Sequence, residues 1–360
     1  MAIGDIIVGL DIGTSKVSAI VGEVNNFSQI EIISSTKCKC RGIQKGKIVD
    51  EDDISLSIAK AIQDAEEEAN LKIHSAYVTV PGRYITIVQN SIIKEVKDKY
   101  AGISVKDVGA SIMQIKDIEV PEGKQIIDIV PECFILDNGE KVADPVLDRN
   151  ELNDNIMLLD IGAGNTEIGV FEGNKFVYTN TLPLGGDTIR RDIELCLNIS
   201  EEEADKLKRQ YGLALKSFID NDNDIFLNTY KGETKNKTIK SSELIEIIEA
   251  RIEEIFSLIN RDIVNQGIKQ RINNVILTGQ GITNINKSDV AGKIALNIPV
   301  KISTGRLVST IKPSYRTSYA LVRYVASKPF ARSVSSTIDV TRDESIFKTI
   351  LERIKEFFYS

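Results

Sequence analysis

Metal-binding side chains are scarce in this sequence. It has one histidine, His74, and four cysteines, Cys38, Cys40, Cys133 and Cys196. Cys38 and Cys40 form a C-x-C pair, but no second pair stands at zinc spacing, so little is left for a metal site and reduced thiols are expected. His74 has no ligand partner and reads as a structural residue. Long apolar runs are lacking too. No stretch of eighteen apolar residues occurs, so no membrane span is expected. The N-terminus has neither a basic stretch nor a long apolar segment, so no secretory signal is expected. Positive charge is also short, with 45 Lys and Arg against 52 Asp and Glu and a net charge of −7. No global field therefore favours nucleic acid.

What is present is ordinary for a soluble globular chain, at 42% hydrophobic and 27% charged residues. A length of 360 residues exceeds one comfortable core, so two or more lobes are expected.

Two stretches share one plan. The first is Ile7-Val8-Gly9-Leu10-Asp11-Ile12-Gly13-Thr14-Ser15-Lys16-Val17. The second is Leu158-Leu159-Asp160-Ile161-Gly162-Ala163-Gly164-Asn165-Thr166-Glu167-Ile168. Each is an apolar run, an Asp, a Gly-containing turn and a second apolar run, which reads as strand, tight turn, strand. Glycine lets backbone approach a ligand closely, and successive turn N–H groups make a concave anion site. The Asp at the strand end is placed to hold a hard cation such as Mg²⁺, directly or through water. Two such turns facing each other clamp a nucleotide's phosphates from both sides. One such turn alone reads as an ordinary hairpin; the repeat carries the argument.

The rest of the chain frames these turns. Residues 5 to 24 read as a hairpin, and Glu31 to Ser35 as a further strand. Arg41 to Val49 is a basic, Gly-punctuated loop. Asp50 to Asp53 cap a helix with Ile54, Ile58, Ala61, Ile62 and Ala65 on one face. Ser75 to Val80 is a strand, and Pro81-Gly82 a turn. From Tyr84 to about Val146 the texture is that of a small inserted α+β subdomain. It holds a strand near Ile85 to Val88, a helix from Ser104 to Gln114, a Pro131-interrupted strand over Ile126 to Leu136 and an Asn138-Gly139 hairpin turn. After the second turn comes Leu182 to Thr188 with Gly185 and Gly186, and Asp187 and Thr188 are placed to cap a helix through Glu194. Ser200 opens a capping box for a helix ending near Gly212. Asp220 to Lys240 is a polar, charged loop or hairpin. Ser241 and Ser242 open a long helix on which Arg251 and Glu254 lie three apart, readable as a surface ion pair. Val275 to Leu277 is a buried strand leading into Thr278-Gly279-Gln280-Gly281. A helix over Asn286 to Leu296, a strand over Val300 to Ile302 and a last core helix over Pro313 to Ala326 complete the body.

The end of the chain differs. Residues 327 to 344 have linker composition. Ile346, Phe347, Ile350, Leu351, Ile354, Phe357 and Phe358 then make one apolar stripe, with Lys348, Glu352, Arg353, Lys355 and Glu356 opposite. Such a helix suits a lipid interface, or docks on the core or a partner. Its positive excess is slight, so apolar burial dominates over attraction to anionic lipid.

The two turns with the Thr-Gly-Gln-Gly strand end resemble the actin, Hsp70 and sugar-kinase ATPase superfamily. Within it, Ile6 to Val17, the Arg41-to-Asp50 loop, Leu182 to Asp187, the helix Ala204 to Ala214 and the insertion at 84 to 146 resemble the bacterial cell-division FtsA family over nearly the whole chain. The resemblance implies an α/β, actin-like ATPase fold of two lobes around a nucleotide cleft. The expected divisions are a first lobe (1–83), the inserted subdomain (84–146), a second lobe (147–210 and 271–312), a small subdomain (211–270), the last core helix (313–326), the linker (327–344) and the amphipathic helix (345–360). It implies binding of ATP with Mg²⁺, organised by Asp11 through water. Gly13, Thr14, Ser15 and Lys16 are then the first phosphate contacts, with Asp160, Gly162, Gly164, Asn165 and Thr166 the second. Gly185, Gly186 and Asp187 lie beside the cleft. Lys208, Arg251 and Glu254 approach the adenosine, and Gly279, Gln280 and Gly281 line the base and ribose. Family membership further implies polymerisation into filaments, binding of the tail of FtsZ by the small subdomain around 213 to 270, other division partners, no nucleic acid, and attachment by the tail helix to the cytoplasmic face of the cell membrane at the division site.

One departure stands out. The family carries further strands and a helix between the insertion and the second lobe. Here Asp144-Pro145-Val146 runs almost directly into Leu147 and the second turn, so a stretch is missing. In related ATPases that stretch supplies the residue orienting the attacking water. No such residue is assigned, hydrolysis is expected to be weak or absent, and the inserted subdomain is expected to be incomplete. Three other readings share the fold. A small-molecule kinase needs a catalytic base that is not evident, a chaperone needs a long following domain, and a pilus-assembly adaptor needs no amphipathic tail.

Overall fold

The computed structural model describes residues 5–25, 29–79, 155–173, 175–227, 237–303 and 313–327 continuously, and only short stretches between 86 and 142. The first lobe opens with β1 (Ile6–Ile12) and β2 (Lys16–Val24), then β3 (Ile30–Lys39), the short pair β4 (Ile43–Gln44) and β5 (Lys47–Ile48), helix α1 (Glu51–Ala69) and β6 (Tyr77–Val78). Its sheet runs in the order β3-β2-β1-β6, with β6 parallel to β1. Apolar residues alternate so that both faces are buried. Val8, Leu10, Val17, Ala19 and Val21 pack on α1, whose Ile54, Ile58, Ala61, Ile62 and Ala65 are the predicted stripe. Asp50 caps that helix, its carboxylate accepting from Asp53 N.

β3 is longer than the predicted Glu31-to-Ser35 strand. Its C-terminal half buries small polar groups instead of apolar ones. Thr36 Oγ1 donates to Ala61 O and Cys38 Sγ to Ser57 O on α1. The predicted Ser75-to-Val80 strand shortens to the two residues of β6.

In the inserted segment the described elements are α2 (Val105–Ile115) and the antiparallel pair β7 (Phe134–Ile135) and β8 (Lys141–Val142). The Pro131 interruption and the Asn138-Gly139 turn lie outside the described residues, and the Ile85-to-Val88 stretch forms no strand where it is described.

The second lobe repeats the first. β9 (Asn155–Ile161), β10 (Thr166–Glu172) and β11 (Lys175–Leu182) form a meander, followed by α3 (Gly186–Leu197), α4 (Glu201–Tyr211), the hairpin β12 (Asp224–Leu227) and β13 (Lys237–Lys240), and α5 (Ser241–Asn265). β14 (Asn274–Thr278), α6 (Ser288–Leu296) and β15 (Val300–Ile302) complete it. The sheet order is β11-β10-β9-β14-β15, with β14 parallel to β9. β1, β2, β3 and β6 therefore correspond to β9, β10, β11 and β14. Among the described residues the first sheet stops at four strands, with no counterpart of β15. One apolar core joins the second sheet to α3, α5 and the β12–β13 hairpin.

α3 starts differently from the sequence expectation. Gly185, not Asp187, is the N-cap, and Thr188 sits one turn in, where its hydroxyl accepts the Gly185 N–H at 3.2 Å. Ser200 caps α4 as expected, accepting from Glu203 N. The chain then returns to the first lobe. A short 3-10 turn, Pro313–Tyr315, leads into α7 (Arg316–Ser327), which covers the other face of the first sheet through Ile7, Ile20, Val24, Val322 and Val325. The linker and the amphipathic stretch from 345 lie outside the described residues. No helix among the described residues is long and apolar enough to cross a membrane.

Candidate functional site

The two predicted turns fold alike. In the first, Gly13 N–H donates to Lys16 O at 2.9 Å; in the second, Gly162 N–H donates to Asn165 O at 2.9 Å. Asp11 and Asp160 occupy the same position, one residue before the last of β1 and of β9. The turns meet. A Cβ on Gly164 would lie 2.8 Å from Thr14 Oγ1.

The charges converge as well. Asp11 Oδ1 accepts a hydrogen bond from Thr79 Oγ1 at 2.9 Å. Burial lifts the Asp11 carboxyl above the usual carboxylate range, against the pull of Thr79 and Lys16. Burial, and then the charge of Asp11, push Asp160 up to about 6. Lys16 is the cation between them, its own pKa lowered first by burial and partly restored by Asp11 and Asp160. Its ammonium donates to the Ser314 carbonyl, just ahead of α7. Two recessed carboxylates share one lysine, an arrangement that a divalent cation relieves.

The glycine-rich stretches of the second lobe pack backbone on backbone. Gly186 N donates to Gly162 O at 2.9 Å, Asp187 N to Ala163 O at 2.8 Å and Gly281 N to Ile161 O at 2.9 Å. A Cβ on Gly281 would stand 2.0 Å from Gly162 O. Gly279 has φ +91°, and a Cβ there would lie 2.4 Å from Asp160 Oδ1. The wall beside Asp160 is thus bare peptide, able to approach a phosphate or ribose closely.

Not every predicted contact faces the cleft. Thr166 is fully buried and its hydroxyl donates to Leu184 O at 2.9 Å, so it braces the turn instead of addressing a phosphate. Asn165 reaches the first lobe; with its side-chain amide assigned so that nitrogen faces the carbonyls, it donates to Lys45 O at 3.1 Å and to Gly164 O at 2.9 Å. Lys45 belongs to the Arg41–Val49 loop, which closes over the second turn; a Cβ on Gly46 would meet the Asn165 amide at 2.2 Å. Lys208 donates to Gly186 O at 2.9 Å, beside Asp205 and Asp187. Ser15 and Gln280 are exposed. The Arg251–Glu254 pair is real but secondary. Arg251 forks onto Asp192 of α3 through Nε and Nη2, the latter at 3.0 Å, and also meets Glu254. Sequence reading missed Thr79, Ser314 and Asp192. Each meets its partner across at least 59 residues of chain, with no local pattern to announce it.

Two sheets of matching order, each with an Asp-Gly turn at the mouth of a shared cleft, define the actin-like ATPase fold. Solved structures agree. A PilM–PilN type IV pilus biogenesis complex matches at TM-score 0.52 and 14% identity, covering 89% of this chain and 99% of that one. MreB5 of Spiroplasma citri, solved with AMPPNP, matches at TM-score 0.51 and 15% identity, covering 89% and 98%. At the level of family, the description "Cell division protein FtsA" matches residues 157–320, and "SHS2 domain inserted in FTSA" matches residues 82–146. FtsA of Bacillus subtilis is 28% identical, with 89% of this chain and 83% of that protein aligned. FtsA of Pseudomonas aeruginosa is 25% identical, with 98% and 97% aligned. The chain belongs to the cell-division FtsA family. The Pseudomonas alignment runs over 412 positions against 360 residues here, so at least 52 positions of that relative have no counterpart in this chain.

Proposed function

We propose that this protein is a nucleotide-binding, actin-like adaptor that links the division machinery to the membrane. The observation that carries the reading is the pair of facing turns with Asp11, Asp160 and Lys16 between them. Mg²⁺ with ATP fits this recess, because the cation supplies the positive charge that the two carboxylates lack. Asp11 and Asp160 hold the cation side, Asp11 through water. The Gly13 and Gly162 N–H groups close the two turns on Lys16 O and Asn165 O, so the N–H groups between them, from Thr14 to Lys16 and at Gly164, are the ones offered to the phosphates, and the bare peptide at Gly185, Gly186, Gly279 and Gly281 admits the ribose and base. Lys208, Arg251 and Glu254 stand on the adenosine side, with Asp192 holding the Arg251 guanidinium.

Hydrolysis is expected to be weak or absent, because no side chain is assigned to orient the attacking water. ATP then acts as a clamp on the lobes. Family membership supports self-assembly into filaments, docking of the FtsZ tail on the 211–270 subdomain, and attachment of the amphipathic stripe from Ile346 to Phe358 to the cytoplasmic face of the membrane.

The nucleotide half is tested by titrating a fluorescent ATP analogue with Mg²⁺. Asp11→Ala is expected to weaken binding at least tenfold, with phosphate release near background for both proteins. Unchanged affinity would remove Asp11 from the cation site.

A further inference from the structure

The charge of this chain is unevenly distributed. Residues 290 to 338 carry eight Lys and Arg (Lys293, Lys301, Arg306, Lys312, Arg316, Arg323, Lys328 and Arg332) and no Asp or Glu. The other 311 residues carry 52 acids against 37 cations, so the basic stretch opposes the trend of the molecule. It is the segment that leaves the second lobe, builds α7 and leads into the tail.

The sheet beneath α7 adds to it. Lys37 and Lys39 are exposed near the end of β3. Thr36 and Cys38 bond to α1, so the alternating Lys37 and Lys39 lie on the opposite face, with α7. Lys37 confirms this side, reaching Ser314 Oγ at 3.4 Å and standing 5.7 Å from the Tyr315 ring centre. Two carboxylates border this face, Asp5 just before β1 and Glu68 at the β3 edge, the latter accepting from Ser34 and Ser35 and acting on Tyr315; Glu23 and Glu31 of the strands face away. Glu23 shares the side of Val17, Ala19 and Val21, which pack on α1, and Glu31 precedes the bulge that carries Ile30 and Ile32 to the α7 side. α7 itself bears exposed Arg323 and no acid, its half-buried Arg316 being turned to the Ser303 carbonyl, with half-exposed Tyr324 on its last turn.

We infer that the α7 face of the first lobe is an electrostatic docking surface for anionic lipid headgroups. The inference rests on the tether reading above. The stripe of the tail is nearly balanced in charge, and one weak anchor gives reversible binding whereas two signals give stable attachment. The basic face supplies the second signal and turns the acidic bulk of the protein away from the bilayer. A lipid surface is favoured over other polyanions because the apolar stripe follows this face in the chain, with 18 residues between Ser327 and Ile346.

The test is flotation of the full chain with neutral phosphatidylcholine vesicles and with vesicles holding about a third phosphatidylglycerol, at low and high salt. Wild-type protein is expected to prefer anionic vesicles tenfold or more, and to lose the preference in high salt. Lys39→Glu with Arg323→Glu is expected to abolish the preference while leaving binding to neutral vesicles, and Lys39→Gln with Arg323→Gln to lower it by roughly fivefold for each cation removed. Melting curves matched to wild type establish that the variants fold. An unchanged preference in folded variants overturns the lipid face while the tether stands. Loss of binding to all vesicles by wild type sinks the tether reading and this inference together. Tighter binding to duplex DNA than to vesicles overturns the lipid assignment.

Discussion

Asp160 faces Asp11 across the cleft, and its environment resists ionisation. Its carboxyl is pushed up from 3.8 to about 6, first by burial and then by Asp11. The sign follows from proton counts. Between about pH 4 and 6 the folded protein holds a proton that the unfolded chain has released, so stability falls as pH rises through that window and the cost is full above it. The shift corresponds to a cost on the order of 3 kcal/mol at neutral pH. Asp160→Asn is therefore expected to raise the melting temperature of the nucleotide-free protein at pH 8 and to change it little at pH 4. Destabilisation at pH 8 would contradict the buried-charge account. The same carboxylate couples pH to cation binding, so Mg²⁺–ATP is expected to bind more tightly as pH rises from 5 to 7. Calorimetry in buffers of different ionisation enthalpy checks this through proton release. Cys40 is the contrasting case. Burial pushes its thiol up to about 12, so it stays a neutral core group.

At the scale of elements, the turns were legible because glycine and aspartate recur in one order before two apolar runs. Helices α1 and α4 were legible because their caps, Asp50 and Ser200, sit directly before amphipathic stretches. Other elements hid for physical reasons. The second half of β3 buries Thr36 and Cys38 through hydrogen bonds to α1, so it shows no apolar alternation. α3 takes Gly185 as its N-cap because its first N–H groups, those of Gly186 and Asp187, serve the carbonyls of the second turn, a tertiary demand with no local signature. The fork of Arg251 on Asp192 joins α5 to α3 across 59 residues and was likewise invisible. The packing of α7 on β1 makes a sharp prediction. A Cβ on Gly9 would fall 2.5 Å from Ser318 O and 2.8 Å from Val322 Cγ2. Gly9→Ala is expected to destabilise the first lobe by about 1–3 kcal/mol through overpacking against backbone. Chemical denaturation checks it, and an unchanged midpoint would mean that α7 can shift freely.

For the whole molecule, the internal repeat is the organising fact. Each sheet presents its glycine turn at the cleft, and contacts between the lobes are made by Thr14 with Gly164, Lys45 with Asn165 and Arg316 of α7 with the Ser303 carbonyl after β15. Closure of the cleft is therefore tied to α7, which leads into the tail. Among the described residues four strands of the first sheet match four of the five in the second. The family pattern set beside the sequence leads us to expect a shortened passage after Val146. Its consequence is a protein expected to hold nucleotide without turning it over rapidly. At the membrane end, Phe357→Asp with Phe358→Asp is expected to move the protein from the membrane fraction to the soluble fraction, because charges on an inserted apolar stripe are costly. Retention of the double variant with membranes would assign the anchor elsewhere.

The most direct measurement is co-sedimentation with liposomes, with and without Mg²⁺–ATP, of the whole chain and of a version ending at Glu344. The account predicts that the whole chain pellets with vesicles, that Mg²⁺–ATP increases the pelleted fraction and that the shortened version stays in solution. Equal pelleting of both versions, or none by either, would contradict it.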